Sequence, residues 1–256
     1  MRLKLTIAYD GAPFAGWQSQ VGGNTVQDVV EAALAKVAKA KISLHGSGRT
    51  DAGVHALGQV AHFDTPVASR MRPEDWLRAL NANLPPEIRV MRAARAGADF
   101  HARFSAKGKV YRYDLWTAPV LPPHLHRRAW HVAPPPDFDR LREALEVFVG
   151  EHDFRAFTAN RGGAPVEDTV RRITAIRVAR TGPLWRITFE GNGFLYKMVR
   201  MLTGAAVRIA RDREDVETLR RLLAEPRAGR WTHVAPADGL TLVRVRYLDS
   251  RKERGS

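Results

Sequence analysis

ISLHGSGRTDAGVHALGQVAHFD, residues 42–64, consists of two short strand-like runs around a glycine-rich loop. Ile42–His45 and Leu57–Asp64 have the length and apolar content of strands. Between them Gly46, Gly48 and Gly53, with Ser47, are residues of a tight, exposed loop where backbone can approach a ligand. What flanks this unit decides the fold. Upstream, Arg2–Tyr9 alternates, with Leu3, Leu5, Ile7 and Tyr9 on one side and Arg2, Lys4 and Thr6 on the other, as in a half-buried strand. Val26, Val29, Val30, Ala33, Leu34 and Val37 then recur at helical spacing, with Asn24 or Thr25 as the cap. Downstream, a helix starting at Pro73 carries Trp76, Leu77 and Leu80 and stops by Pro85-Pro86. The strand Ile88–Ala93 follows it. The order β-α-β-β-α-β is the split arrangement of a ferredoxin-like unit.

The second half restarts the alternation. Val110–Trp116 reads as a strand, 118–136 as a proline-rich connection, Asp139–Val149 as a helix and 170–178 as a strand. Leu184–Phe189 is a strand running into Gly191-Asn192-Gly193, which is expected to open a long helix from Phe194 to about Arg211. A helix over roughly 214–224 and a strand Leu240–Tyr247 close the pattern. No repeat of residues is visible, only a repeated order of elements. The expected division is an N-terminal half over 1–106 with the loop, a C-terminal half over 107–249, and a loose polar tail over 250–256.

The 256 residues carry 41 Lys+Arg against 27 Asp+Glu, a formal charge of +14 with arginine far outnumbering lysine. The excess runs through the whole chain and points to a polyanionic partner. Hydrophobic residues make up 45% of the chain, enough for a proper core. There is no cysteine, hence no disulfide and no thiolate metal site. His45, His55 and His62 have no carboxylate cluster beside them, so no metal is expected. No long apolar run and no basic-then-apolar leader is visible, and the expectation is a soluble, cytoplasmic protein without a membrane partner.

Rival readings of the loop fail on their residues. Gly48 and Gly53 have P-loop spacing, but Val54-His55 stands where the lysine and hydroxyl residue must be. Gly46-x-Gly48 lacks the third glycine of a dinucleotide fingerprint. What the loop does carry is one arginine and one carboxylate, Arg49 and Asp51, and an ionised carboxylate can act as nucleophile or base. Other stretches have RNA-binding composition. Tyr9-Asp10-Gly11 with Phe14 and Gly16-Trp17-Gln18 can stack on bases or pack beneath the site. Phe100, His101, Ala102, Arg103 and Phe104 interleave rings with a cation, and Lys107, Lys109, Tyr111 and Arg112 follow. Tyr111 shares a strand face with Tyr113, so both can also be core. In the expected helix from Phe194, Arg200 lies near an apolar face and needs an anionic partner, with Asp51 the candidate.

These residues together resemble the tRNA pseudouridine synthase A family over nearly the whole chain, from Tyr9 to Tyr247. The most specific marker is Gly48-Arg49-Thr50-Asp51-Ala52-Gly53-Val54-His55. Tyr9-Asp10-Gly11, Gly16-Trp17-Gln18, Thr25-Val26-Gln27, Asn83-Leu84-Pro85, Phe100–Ala106, Gly150–Phe154, Phe194–Arg200 and Pro236–Leu240 support it jointly. Lys197 departs from the histidine or asparagine common in the family, which bears on fine substrate contacts.

The resemblance implies an α+β fold of two ferredoxin-like halves sharing a largely antiparallel sheet, with helices on one face and the active cleft between the halves. It implies conversion of uridine to pseudouridine at positions 38, 39 and 40 of the tRNA anticodon stem-loop, without cofactor or metal, by a homodimer. Carried over, Asp51 is the nucleophile, Arg49 helps extrude the uridine, Tyr111 stacks on the base and Arg200 is the basic partner of the aspartate. Phe100–Phe104 and the 161–165 loop with Arg161 resemble tRNA-touching segments, and Lys197 is expected to face RNA. Whether Asp51 attacks C1′ or C6, or helps to abstract a ribose proton, stays open. A non-catalytic RNA-binding module and a metal-dependent nuclease are the competing classes. The first gives no reason for a carboxylate beside bound phosphate, and the second needs clustered carboxylates.

Overall fold

The computed structural model describes residues 1–159 and 168–248. In chain order the elements are β1 (Arg2–Tyr9), α1 (Val26–Ala38), β2 (His45–Gly46), β3 (His55–Asp64), α2 (Pro73–Asn83), β4 (Ile88–Arg95), β5 (Ala106–Trp116), β6 (Trp130–His131), α3 (Phe138–Glu146), β7 (Gly150–Asp153), β8 (Val170–Thr181), β9 (Leu184–Gly191), α4 (Met198–Ile209), α5 (Val216–Ala224) and β10 (Leu240–Tyr247). The class is α+β, and strand pairing is largely antiparallel. The chain forms two compact units, Met1–Lys107 with Thr241–Ser256, and Gly108–Leu240.

In the first unit β4, β1 and β3 are neighbours in that order, and β2 pairs with β3. This is the strand order of the ferredoxin-like unit expected from the sequence. β1 alternates as its sequence does, with Leu3, Leu5 and Ile7 fully buried. Val30 and Leu34 of α1, Phe63 of β3 and Trp76 and Leu80 of α2 complete the core, the Phe63 and Trp76 rings meeting at 5.1 Å. Burial of each such side chain stabilises the unit by about 1.5–3 kcal/mol. Thr25 is the cap of α1, its hydroxyl accepting from the Asp28 N–H at 3.2 Å. Asn24 instead takes a left-handed conformation (φ 57) one residue earlier.

Three expectations shift. The strand expected over Ile42–His45 shrinks to His45–Gly46, because side chains of α1 take the backbone groups of Leu44. Its N–H donates to Glu31 Oε1 (2.9 Å) and its carbonyl accepts from Gln27 Nε2 (3.1 Å). The helix expected from Phe194 begins at Met198, after Lys197 has turned left-handed (φ 59). The closing strand β10, expected in the second half, falls in the first unit. There it runs parallel to β3, with Thr241 opposite His55 and Leu242 opposite Ala56.

In the second unit β5, β9, β8 and β7 are successive antiparallel neighbours. β5, α3, β8, β9 and α4 repeat the order β-α-β-β-α, and β7 adds an outer strand the sequence did not suggest. Leu141, Ala144 and Leu145 of α3 and Leu202, Ala205 and Ala206 of α4 are buried where these two helices pack. The expected tail over 250–256 lies outside the described residues.

Candidate active site

The 46–55 loop is held from three sides within the first unit. Gln59, fully buried on β3, accepts from the Ser47 hydroxyl at 2.6 Å and donates to the Gly48 carbonyl at 3.0 Å. The buried Tyr9 and Thr50 hydroxyls hydrogen-bond at 2.8 Å, and the Trp17 N–H donates to the Thr50 carbonyl at 3.1 Å. Burial pushes the Tyr9 phenol up, so it stays neutral. Past Asp51, the Val54 N–H closes a turn on the Asp51 carbonyl (3.1 Å), with Gly53 at φ 80.

Two glycines make this packing possible. A Cβ on Gly11 would lie 2.0 Å from the Val54 carbonyl oxygen, and one on Gly16 would lie 2.7 Å from that of Thr50. The Tyr9–Gln18 stretch therefore packs beneath the loop, with Tyr9, Phe14 and Trp17 all buried. Stacking on RNA, the other reading of these rings, has no exposed face to use.

Arg49 is exposed and Asp51 half-buried. The Arg49 Nε donates to Gln18 Oε1 at 3.2 Å. Gln18 in turn donates to Gln27 Oε1 at 2.9 Å, and Gln27 to Glu31 Oε1 at 3.0 Å. A chain of amides from α1 thus orients the arginine. These glutamines have no charge of their own, and only Gln18 and Gln27, inside quoted motifs, gave any hint in the sequence; Gln59 gave none.

The Phe100–Phe104 segment belongs to the same unit and is built by histidines. The Ala102 N–H donates to His62 Nδ1 at 3.1 Å, and the Arg103 N–H to His101 Nδ1, also at 3.1 Å. Both imidazoles accept at Nδ1 and are therefore neutral there. Burial, then His101 and His45, lowers His62 to about 4, and burial lowers His101 as well. Arg2 Nη1 holds the Ala98 and Phe100 carbonyls, and the Tyr247 hydroxyl donates to Ala102 O at 2.7 Å. Ala102 is fully buried, whereas Phe104 is 75% exposed with the Arg103 guanidinium 5.7 Å from its ring centre. The backbone is fixed, and the ring and cation are presented outward.

Tyr111 and Arg200 lie in the second unit. Tyr111 is buried on β5, its ring edge-on to Phe194 at 5.2 Å. Tyr113, two residues on, is core outright, its hydroxyl donating to the Pro236 carbonyl at 2.6 Å. Arg200, in the first turn of α4, donates from Nε to the Ala235 carbonyl at 2.7 Å. The Lys197 ammonium sits 5.1 Å from the Tyr196 ring centre. Arg161 lies outside the described residues.

A sequence model of the tRNA pseudouridine synthase family matches residues 5–105 and 144–248. The chain belongs to the tRNA pseudouridine synthase family. The family match takes in Arg49, Asp51 and the whole 46–55 loop. The protein named tRNA pseudouridine synthase A from Akkermansia muciniphila is 50% identical over 251 residues, covering 96% of this chain and 95% of that protein. Proteins of the same name from Solidesulfovibrio magneticus and Geobacillus kaustophilus are 46% and 43% identical, over 96% and 97% of this chain and 91% and 95% of theirs. Among the described residues no helix is long and apolar enough to cross a membrane.

Proposed function

We propose that this enzyme isomerises uridine to pseudouridine at positions 38, 39 and 40 of the tRNA anticodon stem-loop. The observation that carries the reading is the half-buried Asp51 in a rigid glycine loop, in a chain 50% identical to a protein named tRNA pseudouridine synthase A. The reaction breaks the N1–C1′ bond, turns the uracil and forms a C5–C1′ bond. C5 gives up its proton and N1 gains one, so the product is an isomer of the substrate.

A stacked base cannot turn, so the uridine must leave the helix, at a cost of a few kcal/mol. The exposed Arg49 guanidinium, oriented by Gln18, is suited to fill the vacated place and hold phosphate. Asp51 acts as the nucleophile. Tyr111 supplies a ring for the uracil and a hydroxyl that can take the C5 proton, while Arg200 is the basic partner of the aspartate. Phe100, His101, Arg103, Phe104, Arg161 and Lys197 are assigned to tRNA contact, with Ala102 as the buried anchor of that segment. The working form is a homodimer in the cytoplasm. Tritium release from tRNA labelled at uridine C5 tests the reaction: release with full-length tRNA is expected, and none would leave a binding protein.

A further inference from the structure

The second unit contains a cleft of about 730 Å³ lined by the end of α4, by one face of α5 and by residues 228–233. None of its lining residues belongs to the set assigned above. Three arginines reach it from three parts of the chain: Arg208, Arg221 and Arg230. Arg221 is exposed, and its guanidinium makes no hydrogen bond or ion pair among the described residues. Arg208 donates from Nη2 to the Arg213 carbonyl at 3.2 Å, which leaves its charge uncompensated. Among the described residues Glu214 is the single carboxylate in the lining, and its Oε1 accepts from the Thr218 hydroxyl at 3.1 Å. Guanidinium forks with donors to spare are phosphate-binding groups.

The rest of the lining argues against reading a base. Trp231 is buried, its ring stacks on Phe157 at 6.3 Å, and its Nε1–H donates to the His233 carbonyl at 2.9 Å. Neither ring face nor N–H is offered to a ligand. Among the described residues no asparagine or glutamine lines the cleft to read a base edge. Ala228, Gly229, Arg230, Thr232 and His233 are exposed, so the cleft is too open to enclose a small phosphate compound, whose sites bury most of the ligand. An extended polyanion fits such a surface better.

We infer that this cleft is a second, sequence-independent tRNA contact, binding backbone phosphates through Arg208 and Arg221. The inference rests on the proposed function, which supplies the tRNA. The test measures kcat, KM and the salt dependence of tritium release for the wild type, Arg208→Gln/Arg221→Gln, Arg208→Lys/Arg221→Lys and Glu214→Gln. In the glutamine pair KM rises several-fold at constant kcat, and the slope of log affinity against log salt becomes shallower by about 1.4–1.8, the value for two lost phosphate contacts. The lysine pair regains most of the affinity, because charge rather than shape carries the contact. Glu214→Gln lowers KM, a direction that structural damage does not produce. An unchanged KM and slope in the glutamine pair, with an active wild type, overturns the cleft assignment. A wild type that releases no tritium overturns the function itself.

Discussion

At the scale of single residues, Asp51 and Tyr111 carry the sharpest expectations. Asp51→Asn should abolish turnover while tRNA binding persists, since a negative charge leaves an anionic complex. A half-buried loop carboxylate contributes little stability, so the fold should survive. Retention of more than about a hundredth of the wild-type rate, a barrier change under about 3 kcal/mol, would remove Asp51 as nucleophile. Tyr111→Phe keeps the ring that meets Phe194 and deletes the hydroxyl. Bound tRNA with severely slowed product formation is expected in single-turnover measurements, and full activity would reduce the residue to packing. The sequence singled out Asp51 by its own loop, whereas Tyr111 came from the family resemblance, its strand face leaving a core role open. Asp51 sits in a loop that has no core to fill. Gln59 and the Gln18–Gln27–Glu31 relay were not legible, since neutral amides acquire meaning only from the atoms they reach.

Elements show why some boundaries could be read and others could not. β1, α1 and α2 match their periodicity because apolar burial alone specifies them. β2 could not be read, because Ile42 and Leu44 are buried as a strand's would be while α1 satisfies the Leu44 backbone. The start of α4 was hidden likewise: Phe194 and Leu195 continue a helical spacing, and one left-handed residue, Lys197, interrupts it. Two predictions belong here. Gly11→Ala forces a Cβ to 2.0 Å from the Val54 carbonyl oxygen, so β1's exit and the Asp51 loop must part. A loss of at least about 1–3 kcal/mol, the range for overpacking, should appear in denaturant unfolding together with reduced kcat. The 100–105 segment should respond to acid. The folded-state value of His62, about 4, lies below its ordinary value of 6.5. Its contribution to stability is therefore complete above pH 6.5 and is lost as pH falls toward 4, by at most about 1.4 kcal/mol per pH unit. Thermal unfolding of the wild type against His62→Asn should show a steeper loss in the wild type, the residual slope of the variant coming from groups such as His101.

For the whole molecule, charge and size set the expectation. A net +14 should make affinity for tRNA fall steeply with salt, and a chelator should leave the rate unchanged. A compact 256-residue chain has a radius of gyration near ~18 Å, short for gripping both an anticodon arm and a distant part of tRNA. Several adjacent uridines without a fixed sequence must be selected by shape, which favours a long surface shared by two subunits. Light scattering should report a dimer at micromolar concentration, and a monomer modifying full-length tRNA at the normal rate would refute this. The parallel seating of β10 on β3 adds a constraint of another kind. Synthesis proceeds from the N-terminus, so residues 1–107 leave the ribosome while their last strand is still unmade. All of the second unit must be translated before β10 can arrive. Until then the start of β3, where His55 and Ala56 take β10 and which leads out of the Asp51 loop, lacks that partner while β2 covers only Ala61 and His62, leaving an edge open to wrong partners. The Asp51 loop therefore gains its final support last, and a nascent chain stalled before residue 241 should be a substrate for chaperones and inert toward tRNA.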